Sequence, residues 1–316
     1  MLSIVIPVYN SENTLASLVD RLQTALAAIP FEVILVNDGS RDRSEAVGLR
    51  LAEQYGNVTF VSLRKNFGEF NAVLCGLNYV RGKYAVIIDD DFQNPPEEIR
   101  KLVRTAEAGR YEVVYSYYRN KRHHWFRNLG SRLTNALATR LLGKPKGLYL
   151  SSFKLIRRDV VGEIIRYRGP YPYIDGLIFR VTRNVGAVEV SHQPRAEGTS
   201  NYTLSKLLSL FINVLVGYSP LPLRVFTAAG FGLLALGLGS GLALALAGFA
   251  GWWAVSVGQL LACLLLLCTG FLGSFLGIMS EYLGKLFLTQ SGLPPYVVKK
   301  EVLSRQAEPL TDDWTQ

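Results

Sequence analysis

Apolar positions in the N-terminal part of the chain fall into two rhythms, short apolar-rich runs and longer stripes at helical spacing. Residues 2–8 are one such run, closed by the polar corner Tyr9-Asn10-Ser11, after which Leu15, Leu18, Val19, Leu22 and Leu26 mark one helix face. A second run, 31–36, ends in Asn37-Asp38-Gly39-Ser40; a helix over 44–55 and a strand over 58–63 follow. Phe70, Val73, Leu74 and Leu77 form another stripe before the run Val86-Ile87-Ile88. Further on, Asn94 is placed to cap a helix, with Pro95 at its first position and Glu97 completing a capping box. Ile99, Leu102, Val103 and Ala106 continue that helix until Gly109 stops it. Strands are also predicted over 113–117, 152–156 and 185–190. Strands alternating with helices of this length predict an α/β fold, a mostly parallel sheet covered on both faces.

Past residue 202 the pattern changes. Leu204, Leu207, Leu208, Phe211, Leu215 and Tyr218 lie opposite Ser205, Ser209 and Asn213, an amphipathic helix suited to a lipid interface; a core helix gives the same stripe. Between Arg224 and Glu281 no residue is charged. That run can hold two membrane spans of about 20 residues each, predicted at 225–250 and 254–280 around the turn Gly251-Trp252-Trp253. Gly237 with Gly241, and Gly273 with Gly277, would let helix backbones approach closely. Arg224 precedes the spans, and Lys285, Lys299 and Lys300 follow them, so the positive-inside tendency puts both flanks in the cytoplasm. The expected organisation is a catalytic domain over 1–202, an interface helix over 203–223, a hairpin over 224–282, and a tail over 283–316 too short for its own core.

Composition narrows the partners. The 316 residues are 49% hydrophobic with a net charge of +9, which favours an anionic partner. Arg119, Lys121, Arg122, His123, His124, Arg127, Arg132 and Arg140 cluster around Trp125 and Phe126. Such a patch can bind RNA, but no RRM, KH or OB signature accompanies it, and no nucleic-acid partner is expected. Beside membrane spans it more simply faces lipid phosphates, although a solvated helix face is equally compatible. His123 and His124 lack the Cys or His partners of a zinc site. The three cysteines, Cys75, Cys263 and Cys268, imply no disulfide framework. The N-terminus lacks a basic leader and does not read as a signal peptide.

The chemistry concentrates in Asp89-Asp90-Asp91-Phe92-Gln93-Asn94-Pro95-Pro96-Glu97, which follows the buried run at once. Two residues apart on an extended segment, Asp89 and Asp91 point to the same side. Paired carboxylates suit Mg²⁺ or Mn²⁺, ions held by one or two carboxylates plus a substrate diphosphate. Open α/β sheets bind ligands at this kind of strand-to-helix corner. A solvated acidic turn is the plainer alternative.

Ser3-Ile4-Val5-Ile6-Pro7-Val8-Tyr9-Asn10, Val36-Asn37-Asp38-Gly39-Ser40, Arg64-Lys65-Asn66-Phe67-Gly68 and the acidic motif, in this order, resemble family 2 glycosyltransferases with a GT-A fold. The resemblance is to the polyprenyl-phosphate branch, which includes dolichyl-phosphate mannose synthase and bacterial undecaprenyl-phosphate glucosyl- and aminoarabinosyltransferases. It implies inverting transfer of a sugar from a nucleotide sugar, with UDP-glucose the first expectation, to undecaprenyl phosphate at the cytoplasmic face of the bacterial inner membrane. It implies that Pro7, Tyr9, Asp38 and Asp89 line the nucleotide-sugar pocket, and that Asp89, Asp91 and Gln93 hold Mg²⁺ or Mn²⁺. Arg119 and Arg127 would serve catalysis beside Asp89 and Asp91, and Arg119, Arg127, Arg195 and Lys206 would grip phosphates. Ser200 and Tyr202 would belong to a loop over the site, where Asn201 replaces the family's lysine. Relatives also imply a homo-oligomer, a tetramer.

One departure bears on mechanism. Where some relatives carry an Asp proposed as base, this chain reads Ser151-Ser152-Phe153-Lys154-Leu155. The acceptor, a phosphate monoester with a second pKa of about 6, is ionised near neutrality and needs no base. A processive polysaccharide synthase shares the fold and acids, but no Gln here begins the Gln-x-x-Arg-Trp pattern those enzymes carry. A non-catalytic membrane adaptor would have no need to keep the acids and Gln93 intact.

Overall fold

The structure, a computed structural model, describes residues 1–118, 145, 147–169, 172–191, 239, 242, 246, 256–290 and 294–305. The chain divides into two compact units, Met1–Thr203 with Gly292–Gln316, and Leu204–Ser291.

In the first unit the elements are β1 (Leu2–Val8), α1 (Leu15–Ala25), β2 (Phe31–Asn37), α2 (Ser44–Gln54), β3 (Val58–Leu63), α3 (Glu69–Leu77) and β4 (Tyr84–Ile87). A single 3₁₀ turn, Pro96–Glu98, leads into α4 (Ile99–Gly109), β5 (Val113–Tyr117), β6 (Lys154–Arg157), α5 (Arg158–Ile164), α6 (Ile174–Val181) and β7 (Val185–Glu189). The apolar-rich runs become the strands buried along their whole length, β1, β2, β3 and β4, with Ser3, Glu32, Thr59 and Ser62 among the residues they bury. Burial on both faces is the reason they show no polar alternation. The predicted stripes become buried helix faces: Leu15, Leu18, Val19 and Leu22 on α1, and Ile99, Leu102 and Ala106 on α4.

These strands form one eight-stranded sheet in the order β7-β5-β6-β4-β1-β2-β3-β8, where β8 is Val298–Val302. Strands β3, β2, β1 and β4 run parallel, so the loops after all four gather at one edge. Strand β6 lies antiparallel between β4 and β5, and its register continues that edge, with Ile87 opposite Lys154. Helix α3 sits tightly on β1 and β2, since a Cβ at Gly76 would fall 2.5 Å from Val5 Cγ1.

Residues Val298–Val302 of the tail join this sheet as β8, antiparallel to β3. Tyr296 accepts a hydrogen bond from Asn78 Nδ2 (3.0 Å), Tyr79 donates to Glu301 (2.6 Å), and the Ser304 amide donates to Thr59 Oγ1 (3.1 Å). Arg81 donates to Ser304 Oγ at 2.7 Å and also holds Glu32, a carboxylate only 1% exposed that accepts Ser3 Oγ at 2.6 Å. A buried carboxylate is tolerated only with such donors around it.

The capping box is not formed. The first helical position belongs to Pro96, Pro95 is the extended residue before it, and no side chain caps the turn. Glu97 instead makes a two-pronged ion pair with Arg21 of α1, at 2.9 and 3.0 Å. Gly109 is the last residue of α4, and the left-handed cap falls one residue later, on Arg110.

In the second unit α7 (Val257–Gln290) is one helix of 34 residues, starting after the predicted span start at 254 and running beyond Ser280. Ser280 donates its hydroxyl to the Leu276 carbonyl at 2.8 Å, so this polar group is satisfied within the helix. Leu261, Leu265, Leu272 and Leu276 of α7 are more than half exposed. Taken over the described residues alone, no helix is long and apolar enough to cross a membrane. The interface helix, Gly237 and Gly241, and most of the first predicted span lie outside the described residues; positions 239, 242 and 246 are helical.

Candidate active site

The corner after β4 is built by three neighbouring strand ends. Strand β4 ends at Ile87, and the chain turns at Asp90 and Asp91 instead of staying extended. Strand alternation therefore does not orient Asp89 and Asp91, contrary to the sequence argument. The turn is tight enough to put Phe92 at φ 61°, a conformation that costs a non-glycine residue energy. Its ring packs against the core, which holds it there.

The middle acid ties the corner to β1. Asp90 Oδ2 accepts the Tyr9 amide at 3.2 Å and the Ser11 hydroxyl. Burial pushes its carboxyl up to about 6; the bonds from Ser11 and Tyr9 pull it down, and the charges of Asp89 and Asp91 add to the rise. Asp90 is thus a strut between strand ends.

Each outer acid has its own anchor. Asp89 Oδ2 accepts the Ser152 hydroxyl at 2.5 Å, and Asp91 Oδ1 accepts the Gln93 amide at 3.1 Å. Among the described residues no group of three or more His, Cys, Asp or Glu could hold a metal unaided. Two carboxylates are nevertheless the share that Mg²⁺ or Mn²⁺ takes from a protein when a diphosphate supplies the remaining oxygens. In donor chemistry, then, Asp89 and Asp91 fit a hard cation.

The neighbouring loops are fixed by side chain to backbone bonds. Asp38 is 3% exposed, and its carboxylate accepts the amides of Phe67 at 2.7 Å and Gly68 at 2.9 Å. Burial raises its pKa, and these two bonds counter the rise. Asp38 therefore organises the Lys65-Asn66-Phe67-Gly68 loop from within. Gly39 (φ +62°) permits that contact, because a Cβ there would meet the Asn66 amide at 2.5 Å. Asn10 and Ser40 join the first two loops through the Asn10 amide and Ser40 Oγ (3.0 Å) and the Arg41 amide and Asn10 Oδ1 (2.9 Å). Pro7 is buried in β1 opposite Val36, and Tyr9 is half-buried at the rim.

Of the predicted site residues, the structure brings Tyr9, Asp89, Asp91 and Gln93 to one corner, with Asp38 under the loop two strands away. Arg119, Arg127, Arg195, Ser200, Tyr202 and Lys206 lie outside the described residues. Sequence reasoning missed the roles of Ser11, Asn94, Ser116, Tyr118 and Ser151. Tyr118 donates to Asn94 Oδ1 at 2.6 Å, and Ser116 donates to Ser151 Oγ at 2.9 Å, joining the ends of β5 and β6 to the acidic corner. Burial is the first cause of the raised Tyr118 pKa. The available signal was position: each is a polar residue at or near the end of an apolar run.

An open, mostly parallel sheet with acids where its strands end is the architecture of an α/β enzyme that takes its ligand at that edge. A family model described as glycosyl transferase family 2 matches residues 3–165. The undecaprenyl-phosphate 4-deoxy-4-formamido-L-arabinose transferase of Serratia proteamaculans is 34% identical over 307 residues, 95% of this chain and 93% of the relative. The protein of that name from Sodalis glossinidius is 35% identical over 317 residues, 97% and 96% of the two chains. Among solved structures, glucosyl-3-phosphoglycerate synthase from Mycobacterium tuberculosis, in complex with Mn²⁺, UDP and phosphoglyceric acid, superposes with a TM-score of 0.52. That match has 20% identity, covers 68% of this chain and 76% of the other, and speaks to the fold alone. The chain belongs to glycosyl transferase family 2 and is a glycosyltransferase.

Proposed function

We propose that this glycosyltransferase moves a sugar from a nucleotide sugar to a polyprenyl phosphate of the undecaprenyl class, at the cytoplasmic face of a bacterial inner membrane. The observation that carries the reading is similarity over nearly the whole chain, second unit included, to relatives whose name specifies that acceptor. Asp89 and Asp91 hold Mg²⁺ or Mn²⁺ against the donor diphosphate, with Gln93 beside them. Bound there, the cation offsets the charge that grows on the departing nucleoside diphosphate. Arg119 and Arg127 add positive charge to the leaving group, and Arg195, Ser200, Tyr202 and Lys206 hold the acceptor phosphate. The acceptor's ionised oxygen forms the new bond to the anomeric carbon as the bond to the diphosphate breaks on the opposite face, inverting that centre. No proton leaves the nucleophile, so the absence of an Asp at position 152 costs the reaction nothing.

The donor is a UDP-sugar. The family resemblance makes glucose the first sugar to test, and the relatives' names add 4-deoxy-4-formamido-L-arabinose beside it. Two features support a membrane-bound enzyme: the uncharged stretch 225–280 and the exposed leucines of α7. The enzyme is further proposed to be a homo-oligomer, with a tetramer as the state to test.

The test is a donor screen with undecaprenyl phosphate and purified full-length protein in detergent, read by mass. One glycosyl residue on the lipid with a UDP-sugar is the expected product. Transfer only to water, or growth of a polymer, would refute the acceptor assignment.

A further inference from the structure

Strands β4 and β6 are antiparallel, with Ile87 opposite Lys154 as their last paired position. Continuing that register by two residues on each strand sets Asp89 opposite Ser152. Directly opposed residues on an antiparallel pair are close enough for short side chains to meet, and the Ser152 hydroxyl does donate to Asp89 Oδ2 at 2.5 Å. The adjacent serine serves the other neighbour: Ser151 Oγ accepts from Ser116 at 2.9 Å and from the Phe153 amide at 3.2 Å. Two residues along β6, Lys154 is buried in an ion pair with Asp175, which also accepts the Tyr115 hydroxyl at 3.0 Å. Lys154 is thereby committed to Asp175, while Ser152, just before β6, donates to Asp89.

From this arrangement we propose that Ser152 is a positioning residue: its hydroxyl fixes the carboxylate plane of Asp89 and so sets how tightly the site takes a divalent cation with nucleotide. The inference rests on the reading of Asp89 and Asp91 as the metal-holding pair. A hydroxyl bonded to a carboxylate acts as its donor, which separates this role from that of a base. A donor that orients a ligating carboxylate controls metal affinity by about ten- to a hundredfold.

The experiment measures Mn²⁺ binding to UDP-saturated full-length protein by calorimetry and by the loss of the free Mn²⁺ paramagnetic signal. Wild type is compared with Ser152→Ala, Ser152→Thr and Ser152→Cys. Ser152→Ala is expected to bind Mn²⁺ about ten- to a hundredfold more weakly, with unchanged UDP affinity in metal-free buffer and turnover restored by excess Mn²⁺. Ser152→Thr keeps the hydroxyl and should stay within about threefold of wild type, because the donor is retained. If the alanine variant fails to fold, Ser152→Cys, similar in size and a weak donor, carries the same expectation of weaker binding. Wild-type affinity in Ser152→Ala, or in Ser152→Cys when that variant stands in for it, would overturn the inference and leave the metal reading standing. A threonine variant as weak as alanine would do the same. Wild-type protein that binds no Mn²⁺ with UDP would remove the metal reading, and this inference with it.

Discussion

Two charged residues at opposite edges of the sheet separate chemistry from stability. Asp91 is half-buried in the turn after β4, outside the sheet core, where its carboxylate accepts the Gln93 backbone amide. Asp91→Ala is expected to lower turnover by at least about a hundredfold, the scale of a lost electrostatic contact to a transition state. Its melting temperature should match wild type, and excess EDTA should reproduce the loss in the unaltered enzyme. Full turnover in either case would count against the metal. Arg81 is the reverse case, since it neutralises Glu32, which is 1% exposed, and also reaches Ser304. Arg81→Met leaves a buried carboxylate without its counter-charge, at a cost of about 3 kcal/mol. The double variant with Glu32→Gln should recover part of that loss in a thermal or denaturant melt. Equal stability of Arg81→Met and wild type would show that water reaches Glu32.

At the scale of elements, the strands buried on both faces were legible because short β-branched, apolar-rich runs closed by polar corners have few other uses. The faces of α1 and α4 were equally plain in their spacing. What could not be read depended on partners distant in sequence. Glu97 looked like half of a capping box, yet its partner is Arg21, brought close only by packing of α1 against the 3₁₀ turn. Asp90 looked like one acid among three, and only the pairing of β1 with β4 reveals it as a strut to Tyr9 and Ser11. Strand β8 was invisible for a related reason: Val298-Lys299-Lys300-Glu301-Val302 has charges through its middle and takes its strand state from the edge of β3. Ending the chain at Gly292 would uncover that edge and remove the partners of Asn78, Tyr79 and Thr59. The melting temperature should fall by at least about 5 °C, as expected for a loss of a few kcal/mol in a domain of this size. Aggregation should rise with it, because an unpaired edge invites another chain. A truncated protein as stable and as monodisperse as the full chain would mean that β8 contributes nothing.

For the whole molecule, the stretch from 225 to 280 is where the proposed membrane attachment is tested. It holds no charge, and the exposed positions along the first turns of α7 include Leu261, Leu264 and Leu265, side chains that water solvates poorly. The first charge after the stretch is Glu281, and α7 is long enough to carry on past it to Gln290. If both predicted spans cross, the segment Gly251-Trp252-Trp253 between them is expected on the side of the membrane opposite Lys300. A cysteine at Gly251 should then react with a membrane-impermeant maleimide added to cells with a permeabilised outer membrane, and one at Lys300 should react only after lysis. Wild type, in which Cys75 is buried and Cys268 of α7 is exposed, sets the background to be subtracted. Alkaline carbonate should leave the protein in the membrane pellet. Within the second span, Leu265→Lys places a charge that costs about 3 kcal/mol at a helix centre in lipid, so the fraction of inserted protein should fall. Labelling of Lys300→Cys from outside would invert the orientation, and release by carbonate would turn the hairpin into a peripheral anchor. Only the inverted orientation would separate Asp89 and Asp91 from a donor supplied in the cytoplasm; a peripheral anchor would keep the site on that face and change only how the protein is held.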